Sequence, residues 1–195
     1  MTNSQTTPRA GGQAVSHTQS MPLKPEHQAA LRQLAAWKHR QRDNTIRGDG
    51  QPTPQDVYAQ MMKTTFAPAL RAAGLRGSNG RFELPSHAHW AQLGFQKSSY
   101  SGADEVRFTV NLSVISRTEW EKQKAAKPYL GRQPTPTGRY GPWADQARIG
   151  ELTPARADKW WRIIRGADVE PVQADALADL LAYAVPWLKA CVTQQ

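Results

Sequence analysis

The segment Glu105-Val-Arg-Phe-Thr-Val-Asn-Leu-Ser-Val114 constrains this chain more than any other, because Val106, Phe108, Val110, Leu112 and Val114 alternate without exception with polar residues. A period of two is that of an extended strand, whose successive side chains point to opposite faces. One apolar and one polar face place the strand in an antiparallel sheet, since strands of parallel sheets are apolar on both sides. The preceding Trp90–Lys97 puts Leu93 and Phe95 on one side and Gln92 and Gln96 on the other. Ser98–Asp104 is rich in turn residues, so the two segments are predicted to form a hairpin.

Shorter strands are expected around this pair. Leu75–Leu84 reads as two strands about a Ser78-Asn79-Gly80 turn. Gln146–Leu152 and Lys159–Ile164 read as two more, joined across Thr153-Pro154. Helices fill the gaps. Thr53-Pro54 is an N-cap followed by proline at the first helical position, with Asp56 in the first turn. The helix carries Tyr58, Met62, Phe66 and Leu70 on one stripe, Pro68 is expected to kink or restart it, and Gly74 to end it. Arg117–Lys127 reads as a surface helix capped by Ser116. A last helix from Pro171 is expected to bury Leu177, Leu180, Leu181 and Ala184. Gly131–Pro142 holds three prolines and three glycines, an irregular excursion expected at the sheet rim. The fold class is therefore α+β, an antiparallel sheet of about five or six strands with helices packed on one face.

Length allows one core of this kind and not two. Residues 1–22 are too polar to offset the entropy of ordering and are expected to form a disordered arm. Residues 23–50 read as an N-terminal helix, with Ala30, Leu34 and Trp37 on one face, followed by a linker. Residues 51–190 form the domain. The formal net charge is +9 and the pI about 10.0, which brings nucleic acid into consideration as a partner. The charge is spread: residues 1–50 hold seven Lys/Arg against three Asp/Glu, and residues 51–195 hold 18 against 13. The densest cluster, around Lys38, Arg40 and Arg42, would spread around a helix surface. Nucleic acid is thus the less favoured partner.

The apolar run Ala182–Leu188 is short of the roughly 20 residues that cross a bilayer, and Pro186 is expected to interrupt it, so no membrane partner is expected. The start of the chain lacks the features of a secretory leader, which makes the cytoplasm the expected compartment. A lone Cys191 gives no internal disulfide and no cysteine cage for zinc.

Leu93–Ser101, Val106–Leu112, Arg148-Ile-Gly-Glu-Leu152 and Asp158-Lys-Trp-Trp161 together resemble the bacterial family called domain of unknown function 4304 (DUF4304). The resemblance spans about residues 55–190. It implies the same α+β architecture and supplies no catalytic residue to carry over.

Catalytic patterns are sparse. His87 and His89 would project to the same side of a strand, with Glu83 the nearest carboxylate, but this pair lacks a third ligand of its own. The serines have no nucleophile elbow, Cys191 has no nearby His, and Gly74, Gly77 and Gly80 fit a turn better than a phosphate cradle. No cofactor or metal is expected. The polar sheet face is the candidate binding surface. Gln96, Arg107, Thr109 and Asn111 project from two central strands, and Arg148, Glu151, Trp160 and Arg162 are expected to join them from the later pair. Arg offers a forked donor, and Trp143, Trp160 and Trp161 offer flat apolar contact. The bland reading of this face is a solvated surface with cross-strand pairs. The sharper one is a module that binds a protein partner through Gln96, Arg107, Asn111, Arg148, Glu151, Trp160 and Arg162. Its rival is an enzyme that anchors an anionic substrate on Arg107 and Arg148, with Glu151 as base.

Overall fold

The computed structural model describes residues 51–193. The expected arm (1–22) and the N-terminal helix and linker (23–50) lie outside them.

Helix α1 (Pro54–Met61) opens on a capping box, in which the Thr53 side chain accepts from the Asp56 N–H and the Asp56 carboxylate accepts from Thr53 N–H at 3.1 Å. At Pro68 the helix restarts rather than ends. It passes through a π turn (Met62–Phe66) into α2 (Ala67–Ala72), and the wider turn relieves the clash of the proline ring with the carbonyl four residues back. Gly74 follows at φ +99. Leu75 N–H then reaches back to Leu70 O and Gly74 N–H to Arg71 O, both at 3.0 Å, closing the helix end while Leu75 is buried.

Six strands form one antiparallel sheet: β1 (Arg76–Ser78), β2 (Arg81–Leu84), β3 (His89–Lys97), β4 (Glu105–Ser116), β5 (Asp145–Arg148) and β6 (Trp161–Ile164). The order runs β1-β2-β3-β4-β5, with β6 also paired to β4. The 12-residue β4 pairs along one edge with β3, from His89↔Ser116 to Lys97↔Phe108. Its other edge is shared end to end: β5 takes Asn111–Val114 and β6 takes Glu105–Phe108. Helix α3 (Arg117–Ala126) starts directly after β4, with Ser116 Oγ accepting from Glu119 N–H.

Between β5 and β6 the strand expected over Gln146–Leu152 ends early. After Arg148 the chain turns into α4 (Ile149–Leu152), because Ile149 reaches the core while Glu151 accepts from Arg148 N–H at 3.0 Å and caps the turn. Gly150 packs so closely on the returning chain that a Cβ there would meet Lys159 N at 2.7 Å.

The last helix is α5 (Glu170–Asp179), a second π turn (Leu180–Ala184) and α6 (Val185–Thr193). Pro186 sits two residues past the π turn, as Pro68 does past the first, and does not interrupt it. The continuous 24-residue helix is by length and composition apolar enough to cross a bilayer, with a mean hydropathy of 1.3 in its best window. Here Ala176, Leu180, Ala184, Val185 and Leu188 are buried in the core. Leu181, expected on the same face, is exposed: it follows Leu180 by one residue and so points away.

That core lies on the even-numbered face of β4. Val106, Phe108, Val110, Leu112 and Val114 are buried against Phe66, Leu70, Leu180 and Leu188. Phe108 sits in a row of rings, 5.2 Å from Tyr58 and 5.3 Å from Trp161. The odd-numbered face is not a solvated surface along its whole length. Thr109, Ser113 and Ile115 are buried too, and the Pro/Gly-rich excursion comes down on this face at Gly94 rather than staying at the rim. Gly94, opposite Asn111, lies so close to the buried Pro136 that a Cβ would fall 2.9 Å from Pro136 Cβ and closer to Cγ. Trp120 of α3 pins the excursion by donating to Arg132 O at 3.3 Å, and it packs edge-on to Tyr140 at 5.3 Å.

Candidate functional site

On β4, Thr109 and Val110 fall between the stretches paired to β5 and β6. The chain leaves this edge at Arg148 and rejoins it at Trp161. Thr109 itself is buried, while Gln96 and Asn111 beside it are half-buried and stand open next to the excursion. A cleft of about 460 Å³ results, lined by Gln96, Asn111, Arg148, Glu151 and Asp158 on the sheet side and by Pro136–Arg139 of the excursion.

The lining side chains are linked. Asn111 donates through Nδ2 to Gln96 Oε1 at 2.8 Å and accepts weakly at Oδ1 from Arg148 Nε, 3.4 Å away. Arg148 Nη1 donates to Asp158 Oδ1 at 2.8 Å, and Trp160 Nε1 donates to Asp158 Oδ2 at the same distance. The Arg148 guanidinium lies 5.3 Å from the Trp160 ring centre, within reach of a cation–π attraction. A relay of five side chains, Gln96, Asn111, Arg148, Asp158 and Trp160, therefore runs across the break.

Two consequences follow for chemistry. Asp158 is held below the usual carboxylate range by the hydrogen bond from Arg148, against the opposing effect of its partial burial, so it is an anion at neutral pH and a poor proton acceptor. The Glu151 carboxylate is engaged by the Arg148 N–H. Arg139 and Arg148 are matched in the cleft by Glu151 and Asp158, so its lining carries no net charge. It suits neutral hydrogen-bonding groups better than phosphates.

The structure thus brings together Gln96, Asn111, Arg148 and Glu151 of the seven residues singled out from sequence, and Trp160 joins them through Asp158. Arg107 and Arg162 do not line the cleft. They are register partners four residues along β4 from Asn111, about 13 Å at strand spacing. Both turn to Glu105: Arg107 gives it two bonds, 2.9 and 3.1 Å, and Arg162 Nε a third. Two facing guanidiniums would repel, and Glu105 between them removes that cost. Their hydrogen bonds, Arg107's first, hold the Glu105 carboxyl down at about 2.

Asp158, Arg139 and Gln146 were not singled out from sequence. Asp158 had a signal, standing two residues before Trp160 within Asp158-Lys-Trp-Trp161, whereas Arg139 reaches the cleft only because the excursion folds back. Of the other candidates, Trp161 is buried in the core and donates to Asp175 Oδ2 at 2.7 Å. Trp143 packs 5.6 Å from Tyr140 on the excursion. His87 lies in the bend before β3, His89 is buried at its start, and Glu83 pairs with Arg117 at 3.2 Å. No group of three or more His, Cys, Asp or Glu among the described residues is arranged to hold a metal ion. Cys191 is half-buried, and that burial raises its thiol pKa. The basic cluster at Lys38, Arg40 and Arg42 lies outside the described residues.

The model of a family described as a domain of unknown function (DUF4304) matches residues 66–190. No curated protein and no solved structure matches the chain.

Proposed function

We propose that this chain, which belongs to the DUF4304 family, is a non-enzymatic binding module that takes a polar, extended segment of a protein partner into the cleft beside the β5–β6 break. The observation that carries this reading is the relay from Gln96 to Trp160. It holds donors and acceptors in fixed positions, which lowers the entropy lost on binding, while the lining has no net charge to draw a polyanion. Peptide groups and Asn, Gln or Ser side chains of a partner match it, and Trp160 offers a flat edge for one apolar contact.

The rival reading, an enzyme working on an anionic substrate with Arg107 and Arg148 as anchors and Glu151 as base, draws less support. Arg107 is committed to Glu105 outside the cleft, and Glu151 is spent on the Arg148 N–H. Sequence-independent nucleic-acid binding is likewise less well supported, because the cleft's two arginines are balanced in number by two carboxylates. In this proposal the protein works in the cytoplasm, and the helix Glu170–Thr193 serves the core rather than a membrane.

The test is a co-purification comparison of the full chain with its Asn111→Ala, Arg148→Ala and Arg107→Ala variants. We expect a partner recovered with the wild type to be lost with Asn111→Ala and Arg148→Ala and kept with Arg107→Ala. Recovery of the same partners by all four proteins would sink the cleft reading.

A further inference from the structure

On the helical side of the sheet a second cavity, about 590 Å³, lies between α1, the first π turn, the β1–β2 turn and the end of β3. Its volume falls within the range of small-molecule sites. The apolar part of its lining is Tyr58, Ala59, Met62, Ala67 and Phe95. The rings are held by neighbours rather than by a ligand: Phe95 stacks on Phe66 at 5.3 Å and meets Phe82 edge-on at 6.3 Å, and Tyr58 meets Phe108 edge-on. Lys63, Arg71 and Lys97 complete the wall, and no Asp or Glu lines it. Arg71 is fixed by two bonds to Gly77 O, 2.8 and 3.2 Å. Lys63 and Lys97 are in no ion pair among the described residues, though Lys97 Nζ lies 5.5 Å from the Tyr58 ring centre. Burial pushes the Tyr58 hydroxyl up to about 12, so it remains protonated at neutral pH.

Three cations around preformed aromatic surface, with no carboxylate to neutralise them, are the reverse of the balanced cleft on the other face. We infer that this cavity is a binding site for a small aromatic carboxylate, its ring against Phe95, Met62 and Tyr58 and its anion between Lys63 and Lys97. Burial of the ring supplies the apolar contribution, and the two ammonium groups supply discrimination against a neutral analogue.

Titration calorimetry on the full chain tests this with 2-naphthoate and its uncharged counterpart 2-naphthamide at low salt. We expect 2-naphthoate to bind with a Kd on the order of 100 µM, as suits a ligand of this size, and at least tenfold more tightly than the amide. Charge reversal in Lys63→Glu/Lys97→Glu should weaken it at least tenfold, and Ala59→Trp should fill the cavity and abolish it. All three positions are exposed, so the variants should fold. Amide shifts in the wild type give a readout that needs no variant: they should concentrate at Met62, Gly80 and Phe95. Equal affinity for the amide, binding that survives both variants, or shifts located elsewhere would overturn the assignment.

Discussion

The two faces of β4 are made by one run of residues and meet opposite fates. The even face, Val106 to Val114, is apolar throughout and is buried by helices. The odd face, Arg107 to Ile115, is polar for most of its length, yet Thr109 and Ser113 are as buried as their apolar neighbours. Their hydroxyls have no hydrogen-bond partner among the described residues, a state that costs free energy. Polarity in the sequence therefore does not mark exposure here. A segment more than twenty residues downstream adds to the cover, its Pro136 settling on Gly94 opposite Asn111. The helix-covered face acts as the structural foundation, and the half-covered face carries the cleft.

The comparison is broken most severely from the even side. Phe108→Ala removes the ring that Tyr58, Phe66, Phe95 and Trp161 all touch, and should cost about 3–5 kcal/mol, read as a shift in the denaturant midpoint. A loss under about 1 kcal/mol would mean that this face is not the foundation. On the odd side, Gly94→Ala places a methyl against Pro136 and should cost about 1–3 kcal/mol. Its signature is local: limited proteolysis between residues 128 and 144 should speed up while the core helices keep their protection. Uniform loss of protection would show that the excursion and the core are one unit.

The smallest effect sharpens the odd face itself. The folded Glu105 carboxyl is depressed to about 2 against roughly 4.3 in an unfolded chain. Its contribution to stability is thus fully present above the unfolded value and is lost as pH falls towards 2. Because these charges are partly exposed, Glu105→Gln should lower the melting temperature by only about 1–3 °C at pH 7. That gap should narrow below pH 4 and close near pH 2; a constant gap would assign the loss to packing instead of charge.

The even face was legible from sequence because its cause is local. Period two in β4, the Tyr58–Leu70 stripe and the Thr53 cap each fix an element within a few residues of themselves. The family resemblance, placed at about residues 55–190, agrees with the match at 66–190. The candidate site was half legible. Gln96 and Asn111 follow from pleat parity, but the grouping of Arg107 with Arg148 failed: the expected strand over Gln146–Leu152 breaks after Arg148, where burial of Ile149 outweighs strand pairing. Once the edge is divided between β5 and β6, arginines that share a face no longer share a site. The cover over Gly94 had no signal in alternation, since a long irregular segment does not announce where it will land.

The paired π turns bear on how such helices keep their aim. Residues advance about 100° each around an α-helix, so a stripe spaced by four overshoots by about 40° per step, and four members would drift well off one side. Tyr58, Met62, Phe66 and Leu70 are spaced in this way, as are Ala176, Leu180, Ala184 and Leu188. Each helix carries its π turn between the second and third members, where the wider turn makes a step of four fall short and takes rotation back. Each then has proline two residues on. The wider turn in each helix thus acts as a phase correction: with α steps throughout, three overshoots of about 40° would carry Leu70 about 120° round from Tyr58, whereas Leu70 and Leu188 are both fully buried in the core.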